Sequence, residues 1–162
     1  MGVIRQILSF ILPVTVLVII PLRIESTWTI RLGWNSVLGI TLMATGLIVM
    51  SITIASFIRI GKGTLAPWSP TKKLVIAGLY RYVRNPMILG VLTILLGEAS
   101  AFWSVVLLKW AAAFFVINTI YFIIYEEPGL EERFGKEYSD YKNKVSRWIP
   151  RFTPFDPTAE RK

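Results

Sequence analysis

The 162-residue chain contains no cysteine and no histidine. Without cysteine there can be no disulfide, thiolate nucleophile or sulfur-ligated metal. Without histidine the commonest general base and metal ligand is also missing, so no metal site is expected and any chemistry falls to carboxylates, tyrosines, lysines and backbone groups. Acidic residues are scarce, 10 against 18 basic ones, for a net charge of +8. What is abundant is apolar: 54% of the residues are hydrophobic, above the roughly 45–50% of ordinary soluble domains. One membrane-embedded unit is expected from 162 residues of this composition.

Uncharged runs near the ~20 residues that cross a bilayer core locate the spans. Ile7 to Leu22, between Arg5 and Arg23, predict a short span that Pro13 should kink. Leu32 to Ile58, between Arg31 and Arg59, are ample for a tilted one. Pro86 to Gly97 and Ala99 to Leu108 flank Glu98, and Trp110 to Tyr125 follow Lys109. The economical reading turns the chain at Gly97-Glu98-Ala99-Ser100, where Glu98 reaches water, so that a helix over 86–97 is answered by a longer one from Ala101 to Tyr125. The expected fold is an all-α membrane bundle of about four transmembrane helices, the last two a hairpin. Its organisation is an N-terminal pair of spans (1–65), a module over 66–151 and a polar tail over 152–162.

Four crossings put both termini on one side. Segment 59–85 carries Arg59, Lys62, Lys72, Lys73, Arg81 and Arg84 without an acid, which predicts that this loop and both termini are cytoplasmic. A basic chain can signal nucleic-acid binding, but here the charge abuts apolar spans and suits anionic headgroups. Membrane lipids are therefore the expected partners, and nucleic acid is not. The basic start followed by an apolar run resembles a signal peptide; Pro21-Leu-Arg-Ile-Glu offers no small-x-small cleavage site, so an uncleaved anchor is expected.

Two blocks stand out. In the second, Leu130, Phe134, Tyr138, Tyr141 and Val145 recur at helical intervals, which predicts a C-terminal amphipathic helix lying along the cytoplasmic surface. Pro128-Gly129 should break the path from the last span and leave Glu126 and Glu127 at the corner, where carboxylates can grip hydroxyl pairs or cationic groups, or simply be solvated. In the first block, Asn85-Pro86 reads as a helix start, with Asn85 capping free N–H groups. Flanked by Arg81 and Arg84, that start is also a ready anion site. Gly78 suits a tight turn, Tyr80 and Tyr82 suit an interface, and Gly90 admits a backbone or a flat ligand. Gly39 and Gly46 lack the four-residue spacing of small-residue helix contacts, so no oligomeric state is read from them.

The pattern Leu-Val-x-x-Gly-x-Tyr-x-x-Val-Arg-Asn-Pro-x-x-x-Gly at 74–90, with Glu-Glu-x-x-Leu-x-x-x-Phe-Gly-x-x-Tyr-x-x-Tyr at 126–141, resembles the isoprenylcysteine carboxyl methyltransferase and phospholipid methyltransferase group of integral membrane enzymes. The resemblance covers roughly residues 66 to 151. It implies methyl transfer from S-adenosylmethionine to a lipophilic small-molecule or lipid-linked acceptor. It also implies a cofactor site formed by Gly78, Tyr80, Arg84, Asn85, Pro86, Gly90, Glu126 and Glu127, with Arg84 and Glu127 the candidate catalytic residues. Two alternatives stay open. A related fold serves membrane reductases that use NADPH, and Asn85 and Ile88, where the family often has His and Tyr, leave room for a non-catalytic membrane scaffold.

Overall fold

A computed structural model describes residues 11–29, 33–56, 59 and 74–157. Arg5, the start of the first run, Arg31, and Lys62, Lys72 and Lys73 in the basic loop lie outside the described residues. The described chain is helical, with no strand. Helix α1 spans Ile11–Ile24, α2 Trp34–Ser56, α3 Pro86–Ala101, α4 Val105–Phe134 and α5 Lys136–Lys144, and a single 3-10 turn, Gly78–Arg81, precedes α3. Two helices, α2 and α4, are long and apolar enough to cross a bilayer; α1 and α3 are shorter apolar helices.

Hydroxyl and amide side chains along these helices are satisfied within their own turns. Thr41, Thr45, Thr53, Ser56, Thr93, Asn118 and Thr119 each donate to the carbonyl four residues earlier, at 2.7–2.9 Å. A helix that meets hydrocarbon has no water to serve such groups, so bonding back to the helix removes the cost of exposing them there.

The contact between α2 and α3 is made by glycines. A Cβ on Gly46 would lie 2.6 Å from the Gly90 carbonyl oxygen, and one on Gly39 or Gly97 would lie 2.7 Å from the carbonyl oxygen of the other. Gly39 pairs with Gly97 and Gly46 with Gly90, two pairs seven residues apart on antiparallel helices. The seven-residue interval, two turns on each helix, takes the place of the four-residue one. Beside this seam, Val91 and Leu95 of α3 pack with Ala111 and Phe114 of α4, and Val16 and Leu17 of α1 close the cluster.

The turn between α3 and α4 corrects one expectation. Helix α3 runs through 97–100 to Ala101, because Gly97 is held against Gly39, and the reversal falls at Phe102-Trp103-Ser104, with Trp103 at φ +51°. Glu98 is therefore buried in the last turn of α3, its Oε2 without a hydrogen-bond partner, and is not a turn residue reaching water. Ser104 caps α4 by accepting from Leu107 N at 3.2 Å and donates to Glu25 Oε2, which ties the end of α1 to the hairpin. Ser104→Ala should lower the thermal midpoint of detergent-purified protein, a loss of about 1–2 kcal/mol for the cap.

Pro128 does not break the last span either. Helix α4 continues through it, preceded by a wide π turn at Phe122–Glu126 that makes room for a ring with no N–H to give. A similar π turn, Thr15–Ile19, lies between Pro13 and Pro21 in α1. The break comes at Gly135, whose φ of +52° only glycine adopts freely, so the expected amphipathic helix is two pieces, the end of α4 and α5. Its apolar face nevertheless assembles as one: Leu130 and Phe134 pack with buried Tyr138, Tyr141 and Val145 against Leu74, Ile76 and Phe155. That face is covered by protein, and Phe155 belongs to the core even though it falls in the predicted polar tail.

Candidate functional site

The second block latches onto the first. Tyr141 donates its hydroxyl to the Tyr80 carbonyl at 2.6 Å; Arg84 N donates to the Ser146 carbonyl at 3.0 Å, Arg151 N to that of Tyr82 at 2.9 Å and Phe155 N to that of Arg81 at 2.8 Å. The Arg81 side chain returns a bond from Nε to the Phe155 carbonyl at 2.6 Å. The Phe-Gly-x-x-Tyr-x-x-Tyr spacing thus has a mechanical meaning. Gly135 turns the chain so that Tyr138 and Tyr141 come over residues 80–84.

This latch brings Arg84 to Glu127. Glu127 is 3% exposed, and its Oε1 accepts from Arg84 Nη1 at 3.0 Å and from Arg147 Nε at 2.6 Å, while Oε2 lies 3.3 Å from Lys142 Nζ. Lys142 also reaches Glu131 at 2.8 Å, and Arg84 Nη1 donates to the Tyr138 hydroxyl at 3.1 Å. The uncharged run of α4 ends at Tyr125, so this network lies just beyond the apolar part of the helix. Desolvation raises the Glu127 pKa, but the bond from Arg147 and the charges of Arg84 and Arg147 more than offset it and hold the carboxyl below its ordinary value. Burial pushes the Tyr80 phenol up, with the nearby Glu126 charge adding to the effect.

Other expected site residues are distributed around this centre. Glu126 is half-buried, its Oε2 3.5 Å from the Tyr121 hydroxyl. Gly78 is exposed with φ +55° and opens the turn that carries Tyr80. Asn85 sits at the N-cap of α3 without a side-chain capping bond, contrary to the capping role expected of it, because its backbone φ and ψ of −122° and 58° are not those of a capping residue; Pro86 is buried at the first turn. Gly90 faces α2 and its carbonyl meets Gly46. Arg84 Nε and Trp148 Nε1 are buried donors without an acceptor.

The profile of the phospholipid methyltransferase family matches residues 34–137, from the start of α2 to the start of α5. The chain belongs to the phospholipid methyltransferase family. Among curated proteins it is similar to methanethiol S-methyltransferase 2 of Bradyrhizobium diazoefficiens, 33% identical over 88 residues, covering 52% of this chain and 31% of that one. It is also similar to methanethiol S-methyltransferase 1 of the same organism, 37% identical over 76 residues, covering 44% of this chain and 24% of that one. The matched stretches thus span about a third and a quarter of those relatives. No solved structure matches. In this member of the phospholipid methyltransferase family, sequence reasoning missed Arg147, Lys142 and Phe155, while Trp148, a plausible interface anchor by position, packs on Phe115 and Phe122. Lys142, facing Glu131 and Glu127 from α5, lies one residue past the 126–141 pattern, on the polar side of the helical face that runs to Val145, and Arg147 carries no spacing signal at all.

Proposed function

We propose that this chain is a multi-pass membrane enzyme that moves the methyl group of S-adenosylmethionine to a lipophilic acceptor at the cytoplasmic face. Four crossings would be made by α1 to α4, with both termini and the 59–85 loop in the cytoplasm. The observation that carries the reading is the Arg84–Glu127 pair, which joins two family blocks 43 residues apart at the end of the apolar helices. The residues suit the cofactor: Arg84 Nε is a buried donor lacking an acceptor, fit for a carboxylate, and Glu126 is a carboxylate free of strong ion pairs among the described residues, fit for ribose hydroxyls or an amino group. Bound there, S-adenosylmethionine would supply an electrophilic methyl group on a positively charged sulfur, for an acceptor held against the same site.

The protein's share is alignment and water exclusion, which a displacement at carbon needs more than acid–base help. Glu127 acts as a positioning residue by holding Arg84 and Arg147. Asn85, Pro86 and Gly78 set the path of the backbone around Tyr80 and Arg84, and Gly90 lets α3 close on α2. The acceptor is a prenylcysteine-like carboxylate or another lipid, and the names of the two relatives put an apolar thiol among the acceptors to screen.

Calorimetry on detergent-purified protein tests this. S-adenosylmethionine should bind, and Glu126→Gln should weaken it about tenfold or more, the loss of a charged hydrogen-bond acceptor, without moving the thermal midpoint. Binding of NADPH alone, or of neither cofactor, would overturn the proposal.

A further inference from the structure

Trp148 fixes the depth of the chain that follows α5. Its ring lies 5.2 Å from that of Phe115 and 5.8 Å from that of Phe122, both in the uncharged run of α4. At about 1.5 Å per residue, these rings sit roughly 6 to 16 Å inside the point where α4 becomes charged at Glu126. The chain therefore leaves α5 at Lys144 and turns back to the level of the apolar span. The next residues expose large apolar side chains: Ile149 is 75% exposed and Phe152 fully so.

This segment is pinned on both sides. Ser146 accepts from Arg84 N, Arg151 N donates to Tyr82, and Phe155 is buried in the cluster under α5. Arg147 is drawn to Glu127, and the Arg151 guanidinium is 3.3 Å from the Lys144 carbonyl and 3.4 Å from Thr153 Oγ1. Two apolar side chains are thus presented outward, with Arg151 between them, from a backbone that is itself held at both ends.

We infer that residues 148–152 form a re-entrant strap whose Ile149 and Phe152 insert among the acyl chains of the leaflet around α4. Lipid is the occupant because the exposed pair is continuous, through Trp148, with the apolar run of α4, the face that meets hydrocarbon when α4 spans the bilayer. Two side chains are also far short of the ~800 Å² per partner of a stable protein interface. The inference rests on reading α4 as a membrane span and is independent of the cofactor.

The cysteine-free chain allows a direct test. Single variants Ile149→Cys and Phe152→Cys carry a nitroxide in phosphatidylcholine–phosphatidylglycerol nanodiscs, with Ile117→Cys on α4 as the lipid reference and Glu132→Cys as the water reference. Power saturation should give both strap positions an oxygen-over-nickel accessibility ratio several-fold above that of Glu132→Cys and close to that of Ile117→Cys. Ratios like that of Glu132→Cys would overturn the strap while leaving the span intact. Nickel access at Ile117→Cys as well would overturn both. Shielding from both reagents at Phe152→Cys, with spin–spin broadening that disappears on dilution with unlabelled protein, would replace lipid by a second copy.

Discussion

Gly46→Val should separate α2 from α3 and take the site apart with them. The first added carbon would lie 2.6 Å from the Gly90 carbonyl oxygen, 2.6 Å from Ile94 Cγ1 and 3.0 Å from Ile94 N. Two of these three atoms belong to the α3 backbone, so no side-chain rotation relieves the contact and the helices must move. Overpacking of this kind costs about 1–3 kcal/mol, and more when backbone has to shift. Gly97→Val should behave alike, since its Cβ would meet the Gly39 carbonyl oxygen at 2.7 Å and Met43 N at 2.8 Å. Ala44→Val, on the exposed side of α2, is the control and should cost under about 1 kcal/mol, the β-branched helix penalty. Because α3 begins at Pro86, two residues after Arg84, a displaced α3 also carries Arg84 away from Glu127. Thermal unfolding in detergent should show the loss of stability, and cofactor calorimetry should show weakened binding. Equal midpoints for Gly46→Val and Ala44→Val would refute the glycine seam.

Removing Glu127 should be the most damaging single change at the site. Glu127→Ala leaves Arg84, with a side chain 9% exposed, and Arg147, at 22%, without their shared counter-charge. Breaking a buried ion pair from one side costs about 3–5 kcal/mol, because the partner's desolvation is then uncompensated. Glu132→Ala, exposed on the same helix, should cost little. The acid side of the stability profile follows from the same carboxylate. Its folded pKa lies below the ordinary 4.5, so the unfolded chain takes up a proton first as pH falls. The stability it contributes is fully present above about that value and is lost as pH drops through the folded pKa. The wild-type thermal midpoint should therefore fall on acidification below about pH 4.5, and Glu127→Gln should flatten that limb while starting from a lower midpoint. An unchanged acid limb in Glu127→Gln would assign it to other carboxylates.

The class of fold and the family were legible in the residues alone. Uncharged runs as long as a bilayer is thick point to helices, which satisfy their own backbone in a membrane, and the two blocks carried the family pattern because local spacing is preserved in sequence. The sequence also picked out the residues of the second block's apolar face, since helical periodicity survives the break at Gly135. Tertiary structure decided what no local pattern encodes. The seven-residue register of Gly39 and Gly46 against Gly97 and Gly90 acquires meaning only when two antiparallel helices are brought together. Glu98 looked like a turn residue because charge in an apolar run suggests an end, yet α3 continues one more turn, since the glycine seam holds it straight to Ala101. Pro128 looked like a break, but a π turn absorbed it. Arg147 and Lys142 meet Glu127 only because Gly135 folds α5 back over residues 80–84, and a charge pair between distant segments is set by that path and not by composition.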